Sequence, residues 1–482
     1  MTTAAARDLP GPPPTPVLGA RGNLMRFLRD PIGFIERVHR VYGPLASVAR
    51  GSSAAVFALR PEHSHHVLTD TELFHSPSAL LFPVPEDSAA RELDQGLVSL
   101  NGAEHRWQRA LAMPAFHKRQ VDKYHGDIVA ITEQVLAGWA RPGAADVILD
   151  VAAEMRQITL RVVNKTLFGL DPSPDADAFA GLTRTWQGML LSPAVILLPF
   201  DLPGTPYRRA LAHAERLAGY YRALLARKRA DPAEQRDVMA ALMAVRDDTG
   251  HALTEAQLVG EANVLFIAGH DTTSNALTWT LLLLAQHPPV LHQLLDELEN
   301  TLGGVAPTVQ QVRPESGELP HLDRAIKESL RLLPPVPVLT RITSAPGELD
   351  GHRLPMGTFV FLSPYMTHRT SALYPQPRRF LPERWAGLDP SPYEYLPLGA
   401  GARRCLGATL ATLVLKVVLA LVLQRYRLQL LPGSRIDRQV HITLSPKAGM
   451  PMLVAPQDRR FRQVPVRGTI GEMVDFGEQR AA

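Results

Sequence analysis

The 482-residue chain has a single cysteine, Cys405. That count excludes an intrachain disulfide, a four-cysteine iron–sulfur cluster and a zinc ribbon. It agrees with a reducing compartment, so a cytoplasmic location is expected. Charge of one sign is also scarce. The formal net charge is only +4 with 17 neutral histidines, too mild and too dispersed for a nucleic-acid-binding protein. No basic segment followed by an apolar one opens the chain, so no secretory signal is expected. Long hydrophobic runs are interrupted. Residues 263–285, NVLFIAGHDTTSNALTWTLLLLA, could span a bilayer by length but carry Asn263, His270, Asp271, Asn275 and four threonines. That polar load is costly in lipid, and no transmembrane segment is expected. The run MLLSPAVILLPF (189–200) is too short to span and is broken by Pro193; it fits a membrane surface or the wall of an apolar pocket.

With 45% hydrophobic residues, a large core is available. The opening MTTAAARDLPGPPPTPVLG reads as a proline-rich lead, residues 1–20. A single domain is expected over 21–456, followed by a tail, 457–482, whose role the sequence does not reveal. PIGFIERVHRVYG (31–43) has helical spacing and stops at Gly43, and Gly51-Ser52-Ser53 separates two strand-like runs. Helical patterns dominate from about residue 104 to 335, including ILDVAAEMRQITLRVVNKTLFG and YRRALAHAERLAGYYRALLARKRA. Strand patterns return near 353–362 and at YRLQLLP, VHITLSP and GMPMLVAP. The expected architecture is mainly α with a small β-sheet region formed by the two chain ends.

One helix is sharply bounded. Thr254 and Gln257 fit a capping box and His287-Pro288-Pro289 ends the pattern. About 32 residues at 1.5 Å each reach roughly 48 Å, enough to cross a domain. Its middle should be apolar but reads AGHDTTSN, and such a local conflict marks a functional site. Gly269 within it costs about 1 kcal/mol against Ala and is expected to admit something close to the backbone. Asp271 beside Thr272 could relay protons, although a threonine here could equally back-bond to its own helix.

Further candidates are less distinctive alone. Glu328 and Arg331 share a helix face, which by itself predicts a weak surface pair; Arg384 in FLPERW could make it a three-membered network. His105 and Arg109 lie four apart in GAEHRWQRALA, and with Arg341 and Arg403 they could grip two carboxylates if they converge. His63, His65 and His66 lack patterned partners and are not read as a metal site. Cys405 sits in LPLGAGARRCLGATLA between a glycine-rich loop and a helix-forming run. At a helix N-terminus, free amides and the dipole favour a thiolate, as an iron ion would. No His/Asn arrangement accompanies it, which leaves a cysteine hydrolase unsupported.

LGAGARRCLG resembles the cysteine-ligand loop of the cytochrome P450 haem-thiolate monooxygenases, with Leu398, Gly401, Arg403, Cys405 and Gly407 at the places of Phe-x-x-Gly-x-Arg-x-Cys-x-Gly. AGHDTT is similar to the family's oxygen-activating segment, ESLR to its Glu-x-x-Arg element, PERW to the arginine completing that network and HRWQR to a propionate-binding segment. These motifs stand in the family order, and the resemblance covers roughly residues 8–456. Leu398 departs from the usual Phe beside the sulfur.

The resemblance implies the P450 fold, with haem b between the long central helix and the cysteine-loop helix, and Cys405 as axial thiolate and metal ligand. It implies cofactor contacts from Ala268, Gly269, Leu398, Gly399 and Gly407, and propionate binding by His105, Arg109, Arg341 and Arg403. Asp271 and Thr272 would deliver protons, and Glu328, Arg331 and Arg384 would fix the cysteine loop. The activity implied is insertion of one oxygen atom from O2 into a hydrophobic molecule such as a fatty acid or terpenoid. Leu80, Leu81, Phe82, Val264, Ala268, Val336, Val338, Leu339 and Leu444 sit where the family builds its pocket. Electrons would come from NAD(P)H through a ferredoxin or flavodoxin and its reductase, docking near Arg106, Arg378, Arg379, Arg403 and Arg404, and a monomer is expected. The rival readings are a peroxide-dependent or isomerase-type haem-thiolate enzyme and a haem-binding sensor or carrier.

Overall fold

The computed structural model describes residues 9–139, 146–190, 192–231 and 236–477. The central helix runs Glu255–Ala285, and the expected capping box is present: Gln257 N donates to Thr254 Oγ1 at 3.2 Å and Thr254 N to Gln257 Oε1 at 2.9 Å. The next helix, Pro288–Leu302, begins at once, with His287 as its N-cap. Residues Ala276–Ala285 of the central helix are buried, and this helix packs against helices Pro320–Leu332 and Ala408–Arg425. It also lies along Val151–Phe168 and Pro206–Ala230. Helix Ala408–Arg425 is apolar and long enough to cross a membrane, yet Val417–Val422 are completely buried in protein. Its one internal charge, Lys416, reaches Asp323 at 2.5 Å.

Pro31–Tyr42 is helical and ends at Gly43, whose φ of +92° suits glycine. Leu45–Ser47 and Ala55–Ala58 form the expected antiparallel pair. They belong to a five-stranded sheet in the order Leu45–Ser47, Ala55–Ala58, Phe359–Leu362, Leu339–Thr343, Phe74–His75. The chain ends do not share this sheet, contrary to expectation. The last strand, Pro451–Pro456, lies instead between Tyr426–Leu430 and Val147–Asp150 and is antiparallel to both; the sequence merged the last of these into the following helix. Two effects separate it from that helix. Val147 and Leu149 face inward while Ile148 and Asp150 face out, which is strand periodicity. Asp150 then accepts from Ala152 N at 3.0 Å and Met450 N at 2.8 Å, capping the helix while tying it to the C-terminal strand.

Of the expected tail 457–482, residues 457–477 are described and lie against the body, and 478–482 fall outside the described residues. Ile470, Met473 and Val474 are at most 1% exposed and join the main core.

Candidate functional site

Cys405 lies one turn before helix Ala408–Arg425, in a loop closed by Cys405 N donating to Leu398 O at 2.8 Å. Two glycines make that turn possible. Gly399 and Gly401 have φ of +68° and +66°, and a Cβ on Gly401 would lie 2.6 Å from Leu68 O. Their first duty is therefore to the backbone. Around Gly407 there is room: beyond its chain neighbours, the nearest protein atom to an added Cβ is a Phe116 ring carbon at 4.0 Å. Cys405 is accessible there, although the surrounding protein pushes its thiol above the ordinary value. The Gly407 N–H, Arg109 and Arg404 pull the other way without prevailing. The sequence reading weighed the helix terminus and the arginines, which do pull the thiol down, but not burial, which pushes it up.

Three guanidiniums and one imidazole converge beside the loop. His105, on helix Gly102–Ala112, is buried, and burial lowers its pKa to about 4 with help from Arg403, Arg109, Arg341 and Arg106. Burial also lowers Arg341 and Arg403 to about 10, with Arg341 and Arg109 repelling Arg403 further. Their hydrogen bonds go to neutral acceptors. Arg109 Nη2 donates to Arg404 O at 2.8 Å, and Arg341 Nη1 to Thr340 O at 2.8 Å. Arg403 donates to Leu97 O at 3.2 Å, Asn101 Oδ1 at 2.7 Å and Leu100 O. Among the described residues no carboxylate pairs with any of the three. A half-buried cationic cluster with no counter-ion, beside an open thiol, fits a flat dianionic group whose metal takes sulfur, and haem is such a group.

The central helix carries the other candidates. Ala268 is exposed at mid-helix, and Val264 and Thr272, one turn to either side, are partly exposed. Thr272 Oγ1 donates to Ala268 O at 2.7 Å, the back-bonded arrangement. Asp271 is turned elsewhere: its carboxylate meets His270 Nδ1 at 3.1 Å and Gln187 Nε2 at 3.5 Å. Burial opposes its charge, but His270, Arg156 and Gln187 hold the pKa below the ordinary value. The two candidates are thus sequence neighbours on different helix faces. Gly269 does admit a close approach, by Val163 of the neighbouring helix, 3.2 Å from an added Cβ.

Glu328, Arg331 and Arg384 form the expected network, buried instead of superficial. Glu328 and Arg331 are both 0% exposed. Arg331 donates to both Glu328 oxygens at 2.8 and 2.9 Å, and Arg384 Nε adds a bond at 3.1 Å. Two partners escaped the sequence reading: Trp385 Nε1 at 2.9 Å and Leu381 N at 3.0 Å. Trp385 adjoins Arg384, so the signal was within the motif. His368 was also missed. Its Nδ1 donates to Arg331 O at 3.1 Å and its Nε2 accepts from Leu396 N at 2.7 Å, tying the network to the cysteine loop.

Of the pocket candidates, Leu80, Val336, Val338 and Leu339 are partly exposed and Leu81 is 46% exposed. Leu444 is a correction: its side chain has no free surface, and its carbonyl accepts from Trp279 Nε1 at 2.9 Å. Phe82 is 5% exposed, with its ring edge-on to Tyr207. Arg403 is corrected as a docking residue, since its guanidinium points inward.

A cysteine loop beside arginines with no carboxylate partner among the described residues, in a fold crossed by a long helix with an exposed mid-point, defines a haem-thiolate type of site. The family model described as Cytochrome P450 matches residues 9–451, and the chain belongs to that family. It is 32% identical to cyclooctatin synthase of Streptomyces melanosporofaciens over 452 residues, 91% of this chain and 94% of that one. It is 30% identical to cyclooctat-9-en-7-ol 5-monooxygenase of the same organism over 428 residues, 86% and 89% of the two chains. Among solved structures, retinoic acid bound cyanobacterial CYP120A1 superposes with a TM-score of 0.79 at 24% identity, covering 94% of this chain and all of that one. At that identity the match speaks for the fold. The protein is a cytochrome P450 monooxygenase, mainly helical with small sheets.

Proposed function

We propose that this enzyme hydroxylates or epoxidises a ring-containing, terpenoid-like hydrocarbon or alcohol. The observation that carries the reading is the mid-helix opening at Val264, Ala268 and Thr272, apolar but for one hydroxyl. A relative whose name specifies 5-monooxygenation of cyclooctat-9-en-7-ol supports that substrate class. Cys405 would hold the iron of haem b through its sulfur, and Arg109, Arg341, Arg403 and His105 would hold its propionates. When bound, the haem supplies activation of O2 and transfer of one oxygen atom. The chain's own residues set the conditions. Ala268 leaves room at the wall, and Thr272 presents a hydroxyl there. Asp271, kept ionised by His270 and Gln187, can pass protons inward by side-chain rotation.

Electrons would arrive from NAD(P)H through a ferredoxin or flavodoxin. Arg404, Arg378 and Arg379 are exposed for docking, whereas Arg106 already faces Glu72 at 2.9 Å. A monomeric, cytoplasmic protein is consistent with this reading. The test is turnover: purified protein, NAD(P)H and a ferredoxin pair are incubated with a panel of cyclic terpene alcohols and fatty acids. Oxygenated terpenoid is expected. Product with peroxide but not with the redox pair, or binding without product, would replace the proposal with one of the rival readings.

A further inference from the structure

We infer that residues 464–476 act as a positioning clamp for the cysteine loop, working through the Glu328–Arg331 network. The segment extends past the last residue of the family match, 451, and its contacts are directed. Asp475 N donates to Arg378 O at 2.9 Å, Arg378 Nη2 donates to Gly471 O at 2.6 Å, and Asp475 pairs in parallel with Arg379. This places the segment on the outer edge of residues 377–379. The inner edge of the same stretch is held by Arg331, which donates to Pro377 O at 2.7 Å and Arg379 O at 3.1 Å.

A second link runs through Arg369. Its Nη2 donates to Met473 O at 2.9 Å and to Leu332 O at 2.8 Å. Leu332 is the last residue of the Glu328–Arg331 helix. The guanidinium also lies 3.6 Å over the Tyr365 ring, and Tyr365 Oη donates to Glu36 at 2.7 Å. Buried Ile470, Met473 and Val474 anchor the clamp in the core, and Phe476 meets the His287 ring at 6.3 Å. From Arg331 the path to sulfur is short. His368 connects Arg331 O to Leu396 N, Gly399 N donates to Leu396 O at 3.1 Å, and Leu398 O receives Cys405 N. Loosening the outer edge frees residues 377–379, removes rigid acceptors from Arg331 and lets the loop open locally without unfolding the helices.

The test compares Arg369→Met and Arg378→Ala with Val238→Ala, a core truncation on helix Val238–Ala244 that touches none of these groups. Arg378 is exposed, so its variant guards against a folding failure of the first. Amide hydrogen exchange over residues 396–405 is measured in haem-free and haem-loaded protein. The rate of loss of the thiolate-type Soret band of the reduced carbon monoxide complex is followed at a temperature where helix content is unchanged. Arg369→Met is expected to raise exchange in that window about tenfold and Arg378→Ala about threefold, with faster band loss and no such change in Val238→Ala. Arg369→Lys should recover most of the protection. Equal effects of Val238→Ala and Arg369→Met, or unchanged exchange in both arginine variants, overturn the clamp. The Soret arm rests on Cys405 being the iron ligand; the exchange arm does not, so failure of one reading is distinguishable from failure of the other.

Discussion

Replacing Glu328 by Gln changes almost no volume but removes the one negative charge at the centre of a fully buried network. Five donors converge on its two oxygens: Arg331 Nη2, Arg384 Nε and Leu381 N on Oε1, and Arg331 Nε and Trp385 Nε1 on Oε2. Whichever way the amide turns, its NH2 confronts at least two donors, and Arg331 is left buried beside no anion. Breaking one partner of a buried pair costs about 3–5 kcal/mol, because the surviving charge is uncompensated. Removing both charges would not restore stability, since Arg331 also serves the carbonyls of His368, Pro377 and Arg379. At about 2.1 cal/mol/K per residue, the unfolding entropy of 482 residues makes this only about a 3–5 °C change in Tm. Urea unfolding followed by circular dichroism is therefore the better assay, paired with haem retention on gel filtration. A loss below about 1 kcal/mol, or unimpaired haem retention, would refute the claim that this network holds the cysteine loop.

Other outcomes follow from the same geometry. His368 is neutral in the fold: burial, Arg331 and Arg369 lower its pKa from 6.5 to about 3. The unfolded chain then binds a proton that the folded one refuses, so this contribution is full above about pH 6.5 and is lost as pH falls toward 3. Subtracting the His368→Gln stability curve from that of the wild type should show a slope confined to that window; a flat difference would contradict it. Gly401→Ala meets a positive φ and the Leu68 carbonyl together, and should cost about 1–3 kcal/mol and lower the yield of haem-loaded protein. Loading and stability equal to wild type would sink this. Asp271→Asn should cut product formation on the order of 10²-fold while NAD(P)H is still consumed, and Thr272→Ala should raise the share of consumption that yields no product. Unchanged coupling in both variants would remove them from proton delivery.

The chemistry-bearing residues were legible because their spacing is local. Thr254 and Gln257 announce a cap within one turn, and Glu328 and Arg331 share a helix face. Their environment was not. Whether that pair is superficial or at zero exposure depends on Leu381, Arg384 and Trp385, over 50 residues away. Convergence of Arg109, Arg341 and Arg403 likewise needs three separate elements to meet. Val147–Asp150 was misassigned because four residues cannot distinguish a strand from the first turn of the helix they precede, and the partner that decides it, Pro451–Pro456, is some 300 residues distant. Asp271 and Thr272 illustrate the opposite limit: adjacency in sequence places side chains about 100° apart on a helix, so neighbours need not share a face. Burial of the Cys405 thiol, which opposes the pull of the Gly407 N–H and two arginines, depends on distant elements and was likewise not legible.

The reduced, carbon monoxide-bound spectrum of the wild type beside Cys405→Ser tests the central claim most directly. A thiolate-type Soret shift is expected in the wild type and should be lost in the serine variant; its absence from the first, or its survival in the second, would contradict Cys405 as the iron ligand.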